Sequence, residues 1–183
     1  TVILEPYYYS YTKNKEDEIL ETSIVSPIIS DNQFLGVIGA DIKLSQFQQI
    51  IDNIKPFENS IAFLVSNEGM YVANPSPEFI GKTINDLFTE EDEAHAVSEH
   101  VKNGEFLGYS VVGLDGSMYY VAYAPIPIGN TNTPWAIGIA VPIDQVMAKA
   151  NRNFGTSLID EIFGLALLGF VMYYISNSIT NPI

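Results

Sequence analysis

The chain contains no cysteine, which excludes disulfides, thiolate nucleophiles and Cys-ligated metal sites. It is poor in positive charge. Eight Lys and Arg stand against 22 Asp and Glu, giving a formal charge of −14 over 183 residues. Arg152 is the single arginine. So uniformly acidic a chain argues against nucleic acid as a partner and against flat docking on anionic lipid. No nucleophile motif, phosphate loop or zinc-protease signature occurs, and no Ser and His are arranged as a triad. No catalytic role and no cofactor are therefore expected of these residues. Glu91, His95 and Glu99 fall on one helical face with His100 close by, but without zinc-site spacing, so the pattern reads as a solvated acidic helix and not a metal site. There is no initiating Met, no basic n-region and no signal sequence. The expectation is a piece of a longer protein.

Against this background one segment stands apart. From Ile162 to Ile175 every residue is apolar, aromatic or Gly, and Ser176-Asn177-Ser178-Ile179 follow without a charge. The 18 residues from Ile162 to Ile179 would make roughly 27 Å of helix. A hydrocarbon core is about 30 Å thick, so the segment predicts a short membrane span. The competing reading is a buried core helix, which the strictly apolar part alone would suit. Charge does not orient the span, because Lys149 and Arg152 precede it and nothing charged follows.

The rest of the chain repeats itself. Thr22-Ser23-Ile24-Val25-Ser26-Pro27-Ile28 is echoed by Tyr120-Val121-Ala122-Tyr123-Ala124-Pro125-Ile126, at an offset of 98. A polar turn follows each Pro-Ile. Val37-Ile38-Gly39-Ala40-Asp41-Ile42 is then echoed by Ala136-Ile137-Gly138-Ile139-Ala140-Val141, at an offset of 99. The one-residue slip falls in the turn, where insertions are tolerated best. Ser45 and Asp144 sit at equivalent places as N-cap candidates for a following helix.

The second copy reads as complete. Strands are predicted at Ile61–Asn67, Met70–Ala73, Glu105–Val112, Ser117–Pro127 and Trp135–Pro142. Helical segments are predicted at Thr83–Phe88 and Glu90–Lys102, and a hairpin at Asp115-Gly116. The first copy shows only its last strands, Val2–Tyr9, Glu18–Ile29 and Phe34–Ile42. Its opening strand and helices are expected upstream of Thr1. Leu44–Ile54 is predicted to connect the copies as a helix with Phe47, Ile50, Ile51 and Ile54 on one stripe. The fold class is α+β with antiparallel sheets.

Two groups of residues invite a functional reading. Asp41 lies among apolar and small strand residues, where a carboxylate is costly unless paired or hydrogen-bonded, and its counterpart in the second copy is Ala140. Tyr7, Tyr8, Tyr9 and Tyr11 form the densest aromatic cluster, and alternation places Tyr7, Tyr9 and Tyr11 on one face. Tyr suits a ligand wall, having an apolar body and a polar tip, but it also suits ordinary strand packing.

Together these features resemble the double Cache (dCache) sensor regions of bacterial transmembrane receptors. Glu5-Pro6-Tyr7, Ser26-Pro27-Ile28 and Gly36-Val37-Ile38-Gly39-Ala40-Asp41-Ile42 look like the end of the membrane-distal module. Phe63-Leu64-Val65-Ser66-Asn67-Glu68-Gly69, Ala73-Asn74-Pro75 and Ile80-Gly81-Lys82 look like the start of the membrane-proximal one. Ser178-Ile179-Thr180-Asn181-Pro182-Ile183 resembles the beginning of a HAMP linker.

The resemblance implies tandem PAS-like modules. Residues 1–57 would close the distal module and include the connecting helix, 58–145 would form the proximal module, 146–179 a juxtamembrane and transmembrane helix, and 180–183 the start of the linker. It also implies a soluble part outside the cell, and methyl-accepting chemotaxis receptors as the commonest owners. Sensor histidine kinases and cyclic-dinucleotide enzymes share the layout. A membrane-tethered extracellular enzyme and a structural ectodomain are the readings from other classes. A small-molecule ligand, a homodimer, and a cytoplasmic signalling domain with its kinase are the implied partners. In family members that bind amino acids, a Tyr after Pro, an Asp two residues on and an Asp ending the Gly-Val-x-Gly-x-Asp strand hold the ligand ammonium. Tyr7 and Asp41 match the first and last, and Tyr9 replaces the middle Asp. The expected ligand-binding residues are therefore Asp41, Tyr7 and Tyr9, and an amine-bearing ligand is implied.

Overall fold

The computed structural model describes residues 1–113, 115–144, 146–147, 161–173 and 175. The described residues form nine strands and, before Pro142, four α-helices, and the chain divides into a unit of Thr1–Pro142 and a unit of Ile143–Ile183. The result is α+β, with two antiparallel sheets.

The first sheet is built on a long hairpin of β3 (Ile19–Ser30) and β4 (Gln33–Lys43). Asp31 and Asn32 turn it with positive φ, a conformation that Asn and Asp tolerate well. The predicted strand Val2–Tyr9 is two strands, β1 (Val2–Ile3) and β2 (Tyr7–Tyr9), separated at Leu4-Glu5-Pro6. Pro6 has no N–H to give to a ladder. Both pieces pair antiparallel with β3, so they share the β3 edge that β4 leaves free. Between them Thr22 Oγ1 donates to the Leu4 carbonyl at 2.6 Å.

A helix, α1 (Ser45–Ile51), leads to the second sheet. Ser45 is not its cap: Leu44 occupies that position, and no side chain bonds to the first turn. The second sheet holds β5 (Ile61–Val65), β6 (Tyr71–Ala73), β7 (Leu107–Val112), β8 (Met118–Ile126) and β9 (Trp135–Pro142), in the spatial order β6-β5-β9-β8-β7. The β7–β8 hairpin turns over Gly113–Ser117, with Gly116 at φ +79° and Asp115 accepting from the Ser117 N–H at 2.9 Å. Between β6 and β7 run α2 (Ile84–Leu87), α3 (Thr89–His95) and α4 (Val97–Asn103). α2 starts with a reciprocal capping box between Thr83 and Asp86. The predicted helix Glu90–Lys102 breaks at Ala96, which adopts φ 50°, ψ 44°. That break puts Glu91 and His95 on α3 and Glu99 on α4, so they do not share one helical face. His95 instead stacks on Tyr109, with ring centroids 4.3 Å apart.

Alternation along β5 sends its side chains into two cores. Phe63 and Val65 join Tyr71, Ile84, Val97, Val101 and Tyr123 on the face covered by the helices. Ala62 and Leu64 join Trp135, Leu44, Ile51 and Ile3 on the other. Gly138 is required by the first core, because the Phe63 ring occupies the place a Cβ would take.

The repeat read from the sequence is preserved in the pairing. Pro27 pairs with Val37 and Ser23 with Asp41, while Pro125 pairs with Ala136 and Val121 with Ala140. Applying the two offsets to the first pairs gives the second pairs.

Of the segment 146–179, residues 146–147, 161–173 and 175 are helical, and the rest, with 180–183, lies outside the described residues. Among the described residues no helix is long and apolar enough to cross a membrane.

Candidate functional site

Register brings a polar cluster together on one face of the first sheet. Directly opposed residues of an antiparallel pair point the same way. Tyr7 faces Glu21 across β2 and β3, and Ser23 faces Asp41 across β3 and β4. Glu21 and Ser23 are two apart, so one face carries all four. Tyr9 lies two beyond Tyr7 and joins it, and Tyr11 reaches over from the loop that follows.

The hydrogen bonds can be assigned by counting protons. Ser23 Oγ donates to Asp41 Oδ1 at 2.6 Å. A hydroxyl has one proton and a carboxylate only accepts, so the Tyr7 hydroxyl, 2.5 Å from Ser23 Oγ, is the donor in that contact. The Tyr11 hydroxyl lies 3.0 Å and 3.2 Å from the oxygens of Glu21 and 3.1 Å from Asp41 Oδ2. Its single proton is shared among three acceptors. Desolvation, followed by the bonds to Glu21 and Asp41, pushes the Tyr11 hydroxyl above its ordinary value and holds it protonated. Glu21 and Ser23 are buried, while Asp41 and Tyr11 are exposed. No ion pair to Glu21 or Asp41 forms among the described residues.

The second copy shows that the fold does not require this polarity. The equivalents of Glu21, Ser23 and Asp41 are Tyr119, Val121 and Ala140, and all three pack in or against the core beneath the helices. The first copy thus has a hydrogen-bonded, doubly acidic surface where the second has its hydrophobic core.

Of the residues expected from the sequence, Tyr7 and Asp41 are joined through Ser23. Tyr9 has no place in the hydrogen-bonded chain: its ring stands edge-on between Tyr7 at 6.5 Å and Tyr11 at 4.9 Å, and it is exposed. Glu21 and Ser23 were not anticipated. The signal for both was present, because they differ from Tyr119 and Val121 just as Asp41 differs from Ala140.

Two antiparallel sheets with repeated hairpins, the first carrying a polar cluster, make an α+β fold of Cache type. Residues 3–150 match the Cache domain family dCache_1, and the chain belongs to that family. Among curated relatives, the methyl-accepting chemotaxis protein PctB of Pseudomonas aeruginosa is 24% identical over 185 residues, covering 99% of this chain and 27% of its own length. The chain therefore spans about a quarter of that relative. Among solved structures, the extracellular domain of the histidine kinase mmHK1S-Z3 superposes with a TM-score of 0.70 at 27% identity, covering 82% of this chain and 52% of that one. The ligand-binding domain of P. aeruginosa PctB in complex with L-Arg superposes at 0.57 with 26% identity, covering 80% of this chain and 56% of that one.

Proposed function

We propose that this chain is the extracellular sensing region of a transmembrane chemotaxis receptor, and that the Tyr7, Ser23, Asp41 cluster holds an amine-bearing small molecule. The observation that carries the reading is the polar face of the first copy, set where the second copy buries Val121 and packs the half-buried Tyr119 and Ala140 against its core. A polar group at such a place lowers stability relative to an apolar one unless it is used. An ammonium group adds donors to the two hydroxyls that already reach Asp41 and forms the stronger, charge-assisted kind of hydrogen bond. The relatives support the class of ligand, since the PctB domain is solved with L-Arg. Upstream helices of the first copy would cover this face and complete a pocket. Tyr9 would contribute a wall of that pocket.

The wider reading follows the family. The soluble part lies outside a plasma membrane, the apolar run after Glu161 crosses it, and the residues from about 180 begin a HAMP-like linker. A cytoplasmic signalling domain with its kinase, and a second copy of the receptor, complete the assembly. The likeness to mmHK1S-Z3 supports a second output, a histidine kinase, on the same input fold.

Calorimetry on the full-length receptor tests the site. Primary amines, among them L-arginine and L-glutamine, are titrated into wild type and Asp41→Asn. Losing a charge-assisted bond weakens binding by about 1.5–3 kcal/mol, roughly ten- to more than a hundredfold. Unchanged affinity in a folded Asp41→Asn receptor removes Asp41 from the site.

A further inference from the structure

The site holds a second carboxylate that the chain of bonds from Tyr7 to Asp41 does not use. We infer that Glu21 receives a second cationic group of the ligand, so that the site selects dibasic amines; the inference rests on the reading of Asp41 as the first ammonium partner.

Glu21 is 1% exposed, and a buried acid is costly without a counter-charge. Its hydrogen-bond partner is the Tyr11 hydroxyl, which also lies 3.1 Å from Asp41 Oδ2. Lys43 stands opposite Glu21 in register, yet it is exposed and makes no ion pair there. Two hydroxyl protons, from Ser23 and Tyr11, thus serve both carboxylates. The cluster holds two carboxyl groups and is short of donors. Glu21 Oε2 and Asp41 Oδ2 share the Tyr11 hydroxyl, so they lie within about 6 Å of each other. At that separation each raises the local preference for positive charge. A ligand with one ammonium leaves one acid uncompensated, and a ligand with two cationic groups compensates both. The position is not fixed by the fold, since its equivalent Tyr119 packs against the apolar core of the second copy.

The test measures Kd values of the full-length receptor for L-arginine, putrescine and L-alanine. In wild type the dibasic probes are preferred. Glu21→Gln weakens L-arginine and putrescine by roughly ten- to a hundredfold and leaves L-alanine within about threefold. Asp41→Asn weakens all three. Equal weakening of all three probes by Glu21→Gln marks a structural role and overturns the inference. Unchanged binding of the dibasic probes overturns it as well, while the Asp41→Asn result still decides the reading beneath it. A receptor that binds no primary amine overturns both. Tyr11→Phe guards against a Glu21 variant that does not fold, since the Tyr11 ring is exposed. Removing its shared proton sharpens the preference for dibasic probes, and a wild-type preference in Tyr11→Phe also sinks the assignment.

Discussion

Ser23 shows how one residue separates stability from function. It is buried in a strand, where Val is the better residue on both hydrophobic and strand-propensity grounds, and Val121 occupies the equivalent place in the second copy. Ser23 keeps a hydroxyl that accepts from Tyr7 and donates its own proton to Asp41. Asp41 likewise stands where Ala140 suffices. The double variant Ser23→Val, Asp41→Ala borrows the residues of the second copy. It removes donor and acceptor together, so no orphan is left between them. The expected outcome is a melting temperature equal to wild type or higher, with stability raised on the order of 1 kcal/mol, and loss of amine binding. A thermal melt beside calorimetry on the same samples checks it. A fall of several degrees would show that the hydroxyl–carboxylate chain holds the sheet together and would weaken the case for a ligand.

At the level of elements, β2 pairs with β3 and also reaches the segment before α2. Its alternate residues Tyr7 and Tyr9 face the polar cluster, while Tyr8 points the other way and places its hydroxyl near Gly81, just before α2. A Cβ on Gly81 would lie 3.0 Å from the Tyr8 hydroxyl and 3.2 Å from Leu20 Cδ2, and Gly81 has φ +83°. Gly81→Ala therefore meets both a left-handed backbone and a close neighbour, with a cost of about 1–2 kcal/mol for the backbone alone. Denaturant melts should show that loss. In a double-mutant cycle Tyr8→Ala should recover the steric part, giving non-additive effects. Strict additivity would mean that Tyr8 does not press on Gly81.

The same elements show what the sequence makes legible. The two β-hairpins were readable because Pro-Ile, a polar turn and a Gly-bearing strand recur at nearly constant offset. Their pairing keeps that equivalence residue for residue. The break in the Val2–Tyr9 strand has its signal in Pro6, which lacks the N–H a ladder needs. The break at Ala96 is hard to read because Ala rarely adopts positive φ; Asp92 accepts from the Ser98 N–H at 2.6 Å and the Ser98 hydroxyl at 2.7 Å across it. Leu44 displaces Ser45 as cap because Leu44 is buried in the core between the sheets, which fixes where the helix begins. Glu21 and Ser23 look like ordinary polar strand residues until register sets them beside Tyr7 and Asp41.

On the scale of the whole molecule, the C-terminal apolar run sets water against an apolar surrounding. The helical residues 161–173 and 175 expose nearly all their apolar side chains, among them Phe163 at 73%, Leu165 at 71%, Phe170 at 68% and Met172 at 68%. A helix apolar all round is stable when it is surrounded by other apolar groups. A patch of this kind in water marks a membrane or protein contact. The proposed membrane span would cover these side chains with lipid, since no face of the run from Ile162 to Ile175 carries charge. Asn103, at the end of α4, would then lie outside the cell, and Asn181, beyond the run, inside it. Single cysteines make the test clean in a chain that has none of its own. In intact cells a membrane-impermeant maleimide should label Asn103→Cys and leave Asn181→Cys unlabelled until the membrane is permeabilised. Labelling at Asn181→Cys alone would reverse the orientation. Labelling at both would deny the span and leave the apolar helix to be covered by protein.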